Sequence, residues 1–361
     1  MKYLIIIIVF INQFISCQSS FEASDIKTVS DSLSIVYKGE ADVVQFKMIE
    51  GLHQILRRDS ITGNFEGDLV IPNINNAVFT YEIISHKQDT NRKMVEIKPR
   101  SDMIYLNNIK AVQKDHRFLW VGNNRIKDYQ QSKTLTGSLR TNFIKSQFLN
   151  KERKITTYTP KNTNSDIPII YFTDGGVVNR YAPYVDYLIN INRITPIKLV
   201  GIHPSLSSRY EEYIKGSLKN EIFDNHNQFV LNEVLESSEK EISKWAGKRY
   251  MYGFSNGAAY CMFSGINNPN MFEEIVAFST TGYISAIAQK TNPIKFELTE
   301  YPNFYIGAGK YETNIFNDNL EFIKMMKKKD IQFNFKKFTA GHDYNTWLYE
   351  FLEYLEIRFG K

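Results

Sequence analysis

A single serine between two glycines, in "KRYMYGFSNGAAYCMF" over residues 248–263, is the residue of this chain best suited to chemistry. An apolar run leads into Gly253-Phe254-Ser255-Asn256-Gly257, and small residues then open an apolar helical pattern. Where a strand turns sharply into a helix at such a G-x-S-x-G pattern, the serine oxygen is lifted clear of the sheet edge. The same pattern also suits a plain strand–helix turn, with glycines for tight geometry and the serine as a helix cap. A hydroxyl is a poor nucleophile at neutral pH. The chemical reading therefore requires a base, an orienting acid and N–H groups for an oxyanion.

Six histidines are available, three of them (His203, His226 and His342) in the half that contains Ser255. His342 follows the strand-like "IQFNFKKFTAG" and precedes "DYNTWLYEFLEYLEIRF", a final helix. His203, in "VGIHP", also follows a strand and is its rival. Hydrolases with this turn run serine, acid, histidine along the chain, which favours His342. Between the two, "FYIGAGKYETNIFNDNLEFIKMM" offers Glu312 and Asp318. A helical pattern from Asn314 to Met326 leaves Glu312 in the turn beyond the strand and carries Asp318 into the helix. Asp343, beside the histidine, suits the start of the last helix. One oxyanion N–H would be that of Asn256. The other would come from "TDGG", where Gly175 or Gly176 lets the backbone approach closely.

The elements that must position these groups fall into two halves. From about residue 28 to residue 120 short runs such as "SLSIVYKG", "DVVQFKMI", "HQILRRD", "GDLVIP" and "AVFTYEIIS" predict a β-sandwich. The polar "SKTLTGSL" reads as a linker. Beyond it, "IPIIYFTDGG", "ITPIKLVGIHP", "KRYMYGFSNG", "EEIVAFST" and "YPNFYIGAGK" are buried-type runs alternating with helical patterns. "NQFVLNEVLESSEKEISKWA", for example, places Phe229, Leu235, Ile242 and Trp245 on one face. This rhythm predicts an α/β fold, a mainly parallel sheet with helices on both faces and its site beyond the carboxyl ends of the strands. Because every proposed group falls in the second half, the sandwich is expected to be dispensable for the chemistry itself.

The chain has 361 residues, 43% of them hydrophobic, and a net charge of +5, which indicate a globular protein of two domains. The basic run Lys327-Lys328-Lys329 closes a helical pattern, where cations suit the helix dipole, and nothing points to nucleic acid. At the start, Lys2 precedes "YLIIIIVF", and "FISC" ends at Cys17. A positive residue, a short apolar core and a small residue before cysteine read as an export signal. The segment resembles a bacterial lipoprotein signal, which implies a cell-envelope protein anchored to the membrane by lipid on Cys17. Cys261, the other cysteine, lies on the apolar pattern after the elbow and is expected in the core.

The second half resembles the esterase-D-like esterases of the α/β-hydrolases, a group that includes enterochelin esterases and the feruloyl and acetyl-xylan esterases. The matching pieces come in family order: "SQFLNKERKITTYTPK", "IPIIYFTDGG", "SRYEEYIKG", "GFSNGA", "GAGKYE" and "AGHDYNTW". The resemblance implies an α/β-hydrolase domain over 141–361 with Ser255, Glu312 and His342 as its triad and no metal or cofactor. It also implies an immunoglobulin-like domain over 24–131, joined by residues 132–140 to the catalytic part and preceded by a signal peptide over 1–17. Arg209 and Glu212 match the family's R-x-x-E-Y segment at the rim of the site, where they either touch substrate or form a structural ion pair. Trp347 after the histidine also fits and is expected with them at the substrate rim. Two departures stand out: Glu312 where many relatives carry aspartate, and Ala340 in place of the first glycine of a G-G-H turn. The implied function is hydrolysis of carboxylic esters through an acyl-enzyme, on feruloyl or acetyl polysaccharide esters or a siderophore trilactone. The alternative is a surface lipoprotein that binds glycan and has lost catalysis.

Overall fold

The computed structural model describes residues 32–48, 53–97, 104–106, 109–110, 117–125, 127, 129–216, 219–291, 294–298 and 300–361. The signal-like segment and Cys17 lie outside the described residues. Among the described residues no helix is long and apolar enough to cross a membrane.

The front part is antiparallel: β1 (Ser32–Tyr37), β2 (Val43–Met48), β3 (His53–Arg58), β4 (Phe65–Val70), β5 (Val78–Gln88), β6 (Met94–Ile97), β7 (Ile104–Leu106), β8 (Ile109–Lys110) and β9 (Arg117–Val121). The sheet runs β6-β5-β2-β3-β4-β1-β7-β8, and β9 follows β6 along the edge of β5 opposite β2. Val44, Phe46 and Met48 alternate with half-buried residues along β2, the period-2 pattern of a strand with one face in a core. Their core partners are Leu33, Ile35 and Tyr37 of β1 and Phe79, Tyr81 and Ile83 of β5, so the two ends of the sheet close over one core.

The rest is the expected α/β-hydrolase domain. Its strands are β10 (Ser138–Ser146), β11 (Lys151–Thr159), β12 (Ile169–Phe172), β13 (Lys198–Ile202), β14 (Arg249–Phe254), β15 (Glu274–Phe278), β16 (Asn303–Gly309) and β17 (Phe333–Phe338). Its helices are α1 (Val178–Asn190), α2 (Arg209–Tyr213), α3 (Asn220–Gln228), α4 (Leu235–Lys240), α5 (Asn256–Asn267), α6 (Ala286–Thr291), α7 (Thr313–Lys328) and α8 (Tyr344–Phe359). The sheet order is β10-β11-β13-β12-β14-β15-β16-β17, parallel from β13 onward. β12, β13 and β15 are buried at every residue, as strands covered on both faces must be. One core layer joins the sheet to α1 and α8, the other to α3, α5 and α7. Cys261 is fully buried in the second.

Two local readings change. The helix over 227–246 runs through a π-helical segment, Phe229–Val234, between α3 and α4 and ends at Lys240, so Ile242 and Trp245 lie beyond it. The linker is tied down. Asp186 of α1 accepts from the Ser132 hydroxyl at 2.7 Å, the Thr136 hydroxyl at 2.9 Å and the Gly137 N–H at 3.0 Å, and β10 begins at Ser138.

Candidate active site

Ser255 stands between β14 and α5 with φ 55° and ψ −128°. This conformation costs a non-glycine residue about 1–3 kcal/mol, and it persists because both flanking elements are fixed in the sheet and the core. The Ser255 N–H is held by the Phe278 carbonyl at 2.9 Å. Gly257, in the first turn of α5, passes so close to residues 173–174 that a Cβ there would overlap the Thr173 hydroxyl and lie 2.9 Å from Asp174 Oδ2. The "TDGG" loop thus abuts the amino end of α5. Gly175 has the same need: a Cβ would sit 2.6 Å from the Gly201 backbone.

His342, on the loop between β17 and α8, places Nε2 at 3.0 Å from Ser255 Oγ and Nδ1 at 2.6 Å from Glu312 Oε2. Glu312 occupies the cap position of α7 but makes no capping bond with its side chain. Its Oε1 accepts instead from the Gly309 N–H at 2.6 Å and the Ser279 hydroxyl at 2.5 Å. Ser279 in turn accepts from Trp347 Nε1 at 2.9 Å. With Oε1 committed, Oε2 faces the imidazole. Trp347, expected at the substrate rim, is 2% exposed; it stacks on Phe254 and meets the His342 ring edge-on. It therefore backs the triad from the protein side.

The R-x-x-E-Y residues hold the loop beside the elbow. Arg209 grips the Asp174 carboxylate through Nε at 2.7 Å and Nη2 at 2.8 Å and lies over the Tyr213 ring. Burial opposes its charge, yet the Asp174 pair outweighs this and raises its pKa. The Tyr213 hydroxyl donates to the Thr173 carbonyl. Glu212, also expected at the rim, is 1% exposed. It takes Arg153 in a two-pronged pair at 2.6 and 2.9 Å and accepts from the Ser205 N–H at 3.0 Å. Neither Arg209 nor Glu212 pairs with the other; each has a protein partner of its own.

His203 bonds Thr156 through Nε2 at 2.8 Å and packs against the Gly175 backbone, behind the loop and not on the serine. Burial, reinforced by Lys154 and Arg153, pushes its pKa down to about 4. Burial does the same for His226, also to about 4, with Glu212 opposing and Arg153 assisting. Both rings are thus neutral when folded, while the unfolded chain takes up protons below the ordinary histidine value near 6.5. Stability from this source is complete above about pH 6.5 and is lost as pH falls toward about 4. Thermal unfolding should show Tm dropping across that window, less steeply in His203→Gln. A Tm flat from pH 6.5 to 4.5 would rule the effect out.

Among the described residues no group of three or more His, Cys, Asp or Glu could hold a metal ion. Sequence reasoning missed Ser279, Arg153 and Tyr213, because each acts through a partner far away in the chain. The profile of the family described as "Putative esterase" matches residues 146–356. The chain belongs to this esterase family. Carboxylic-ester hydrolysis is accordingly its activity class. No curated protein sequence matches it. Among solved structures, the ferric enterobactin esterase of Salmonella typhimurium superposes with a TM-score of 0.68 at 12% identity, over 90% of this chain and 93% of that one. The enterobactin esterase of Shigella flexneri, in the presence of enterobactin, gives 0.66 at 13% identity over 92% and 94%. A ferulic acid esterase gives 0.51 at 17% identity, covering 62% of this esterase and 98% of its own chain. The esterase thus shares its two-part fold with the first two and only its α/β-hydrolase part with the third.

Proposed function

We propose that this esterase is an exported serine hydrolase that cleaves carboxylic esters through an acyl-enzyme on Ser255. The observation that carries the reading is the unbroken series Ser255 Oγ, His342 and Glu312 at 3.0 and 2.6 Å, beyond the carboxyl ends of β14, β16 and β17. His342 Nε2 takes the serine proton as Oγ bonds to the ester carbonyl carbon. The Asn256 N–H, which opens α5 and has no intrahelical acceptor, and the N–H of Gly175 or Gly176 receive the oxyanion. The amino end of α5 adds a favourable dipole. His342 then gives the proton to the leaving alcohol. Water, deprotonated by the same nitrogen, releases the acid and restores Ser255. Glu312 keeps the proton of the imidazole on Nδ1 and balances its charge. No step calls for a metal or cofactor.

A siderophore trilactone is the favoured substrate, ahead of feruloyl or acetyl esters on polysaccharide. The likeness to the enterobactin esterases spans both parts of the chain, whereas that to the ferulic acid esterase stops at the catalytic part. Tyr344, 50% exposed, meets Phe254 and Trp347 edge-on and gives the mouth an aromatic rim suited to catecholate. The assembled triad speaks against a decayed glycan-binding protein. A panel of a catecholate trilactone, a feruloylated and an acetylated oligosaccharide should show the highest kcat/KM on the trilactone. Faster turnover of either oligosaccharide would reverse the substrate order, and no turnover of any would favour the binding protein.

The signal-like start supports export and anchoring as part of this proposal. In a bacterial host the wild type should partition with membranes, and Cys17→Ala should become soluble or remain unprocessed. Mass spectrometry showing an unmodified N-terminus beyond Cys17 would reject the lipid anchor.

A further inference from the structure

The front β-domain reaches the segment that carries His342. β5 pairs with β9 along one edge, from Val78↔Val121 to Glu82↔Arg117, and with β2 along the other, where the last described pair is Met48↔Tyr81. Val78 and Thr80 are alternate residues whose backbone groups face that second edge beyond the β2 pairing. Segment 339–346 fills it. The Val78 N–H donates to the Thr339 carbonyl at 3.2 Å, the Thr346 hydroxyl donates to the Val78 carbonyl at 2.6 Å, and the Thr80 N–H donates to Asp343 Oδ2. The Asn345 amide completes the set by donating to the Thr80 hydroxyl. Thr80, Asp343 and Thr346 are all buried. Asp343 also caps α8, accepting the Asn345 N–H at 2.6 Å through Oδ1. The turn bearing the acid is tied to the same domain, for the Tyr311 hydroxyl donates to the Pro72 carbonyl at 2.6 Å.

We infer that the edge of β5 at Val78 and Thr80 is a positioning element of the active site, with Thr80 and Asp343 setting the place of the His342 imidazole. His342 sits one residue from Asp343, and its loop is bounded by Thr339 and Thr346, both anchored to Val78. An imidazole must serve Ser255 and Glu312 at once, so a loop free to shift would lose one of them. This contradicts the expectation that the front domain is dispensable for the chemistry. All the reacting groups are in the second half, but the loop that carries one of them is finished by the first.

The inference rests on Ser255 being the nucleophile, and the test separates the two. In the full-length protein, fluorophosphonate labelling gives an acylation-type rate per active site that does not depend on the folded fraction. Asp343→Ser keeps a helix cap but is too short to serve the Thr80 N–H, and Thr80→Val keeps the strand, its shape and that N–H but loses the hydroxyl that receives the Asn345 amide. Each should slow labelling of Ser255, and kcat on a small synthetic ester, by about fivefold or more with KM unchanged, because a displacement of about 1 Å can cost a hundredfold. A smaller loss in both, with only Tm lowered, would make the contact domain cohesion and overturn the inference. A wild type that the probe does not label would instead overturn the nucleophile, and the inference with it.

Discussion

Ser255→Ala should lose about a thousandfold or more of its ester turnover while folding as the wild type does. The hydroxyl contributes almost nothing to packing: Ser255 is only half-buried, and the bond that its Oγ makes is to His342. Alanine meets the same backbone strain at φ 55°, so the elbow gains or loses little. Binding and the oxyanion donors would account for whatever activity is left. Ser255→Gly goes further. Glycine adopts that conformation without penalty, so the protein should become both inactive and more stable, by about 1 kcal/mol or more of relieved strain. Unfolding curves beside kcat for the two variants check this, and near-normal turnover by purified Ser255→Ala would end the elbow assignment.

Glu312→Gln should be nearly as damaging, with KM little changed. Oε1 accepts two donors, the Gly309 N–H and the Ser279 hydroxyl, so an amide can present only its oxygen to them. The NH2 group must then face His342 Nδ1. That nitrogen is forced to accept, the imidazole proton moves to Nε2, and Nε2 can no longer take the proton of Ser255. A wrong tautomer of this kind costs about ten-thousandfold in a serine protease. Asp318→Asn, on α7, should retain most activity. If Asp318→Asn proves the more harmful, the acid has been misassigned although the hydrolase reading stands. The pair is measured by kcat and KM on one soluble ester.

Much of the site is legible in the chain order because its parts sit at the ends of strongly patterned elements. Strand-like runs of six or seven residues followed by turn residues place Ser255, Glu312 and His342 on one edge of a parallel sheet, since parallel strands point their carboxyl ends the same way. The start of α8 at Asp343 and of α7 just after Glu312 follow from the same local signals. What the sequence cannot carry is the identity of partners distant along the chain. That Glu212 grips Arg153 and Arg209 grips Asp174, where the motif alone allowed a structural ion pair or contact with substrate, is decided by α2 lying beside β11 and the "TDGG" loop. That Oε1 of Glu312 is spoken for by Ser279 depends on β15 lying beside β16. The π-helical segment between α3 and α4 is likewise tertiary, because it keeps Phe229, Val234 and Leu235 on the core while the period drifts. The contact between Thr80 and Asp343 spans 263 positions, and no composition or spacing can announce it. It exists only because folding brings the histidine loop, with its backbone and carboxylate groups, against the edge of β5 at Val78 and Thr80, and buried N–H and C=O groups must find partners.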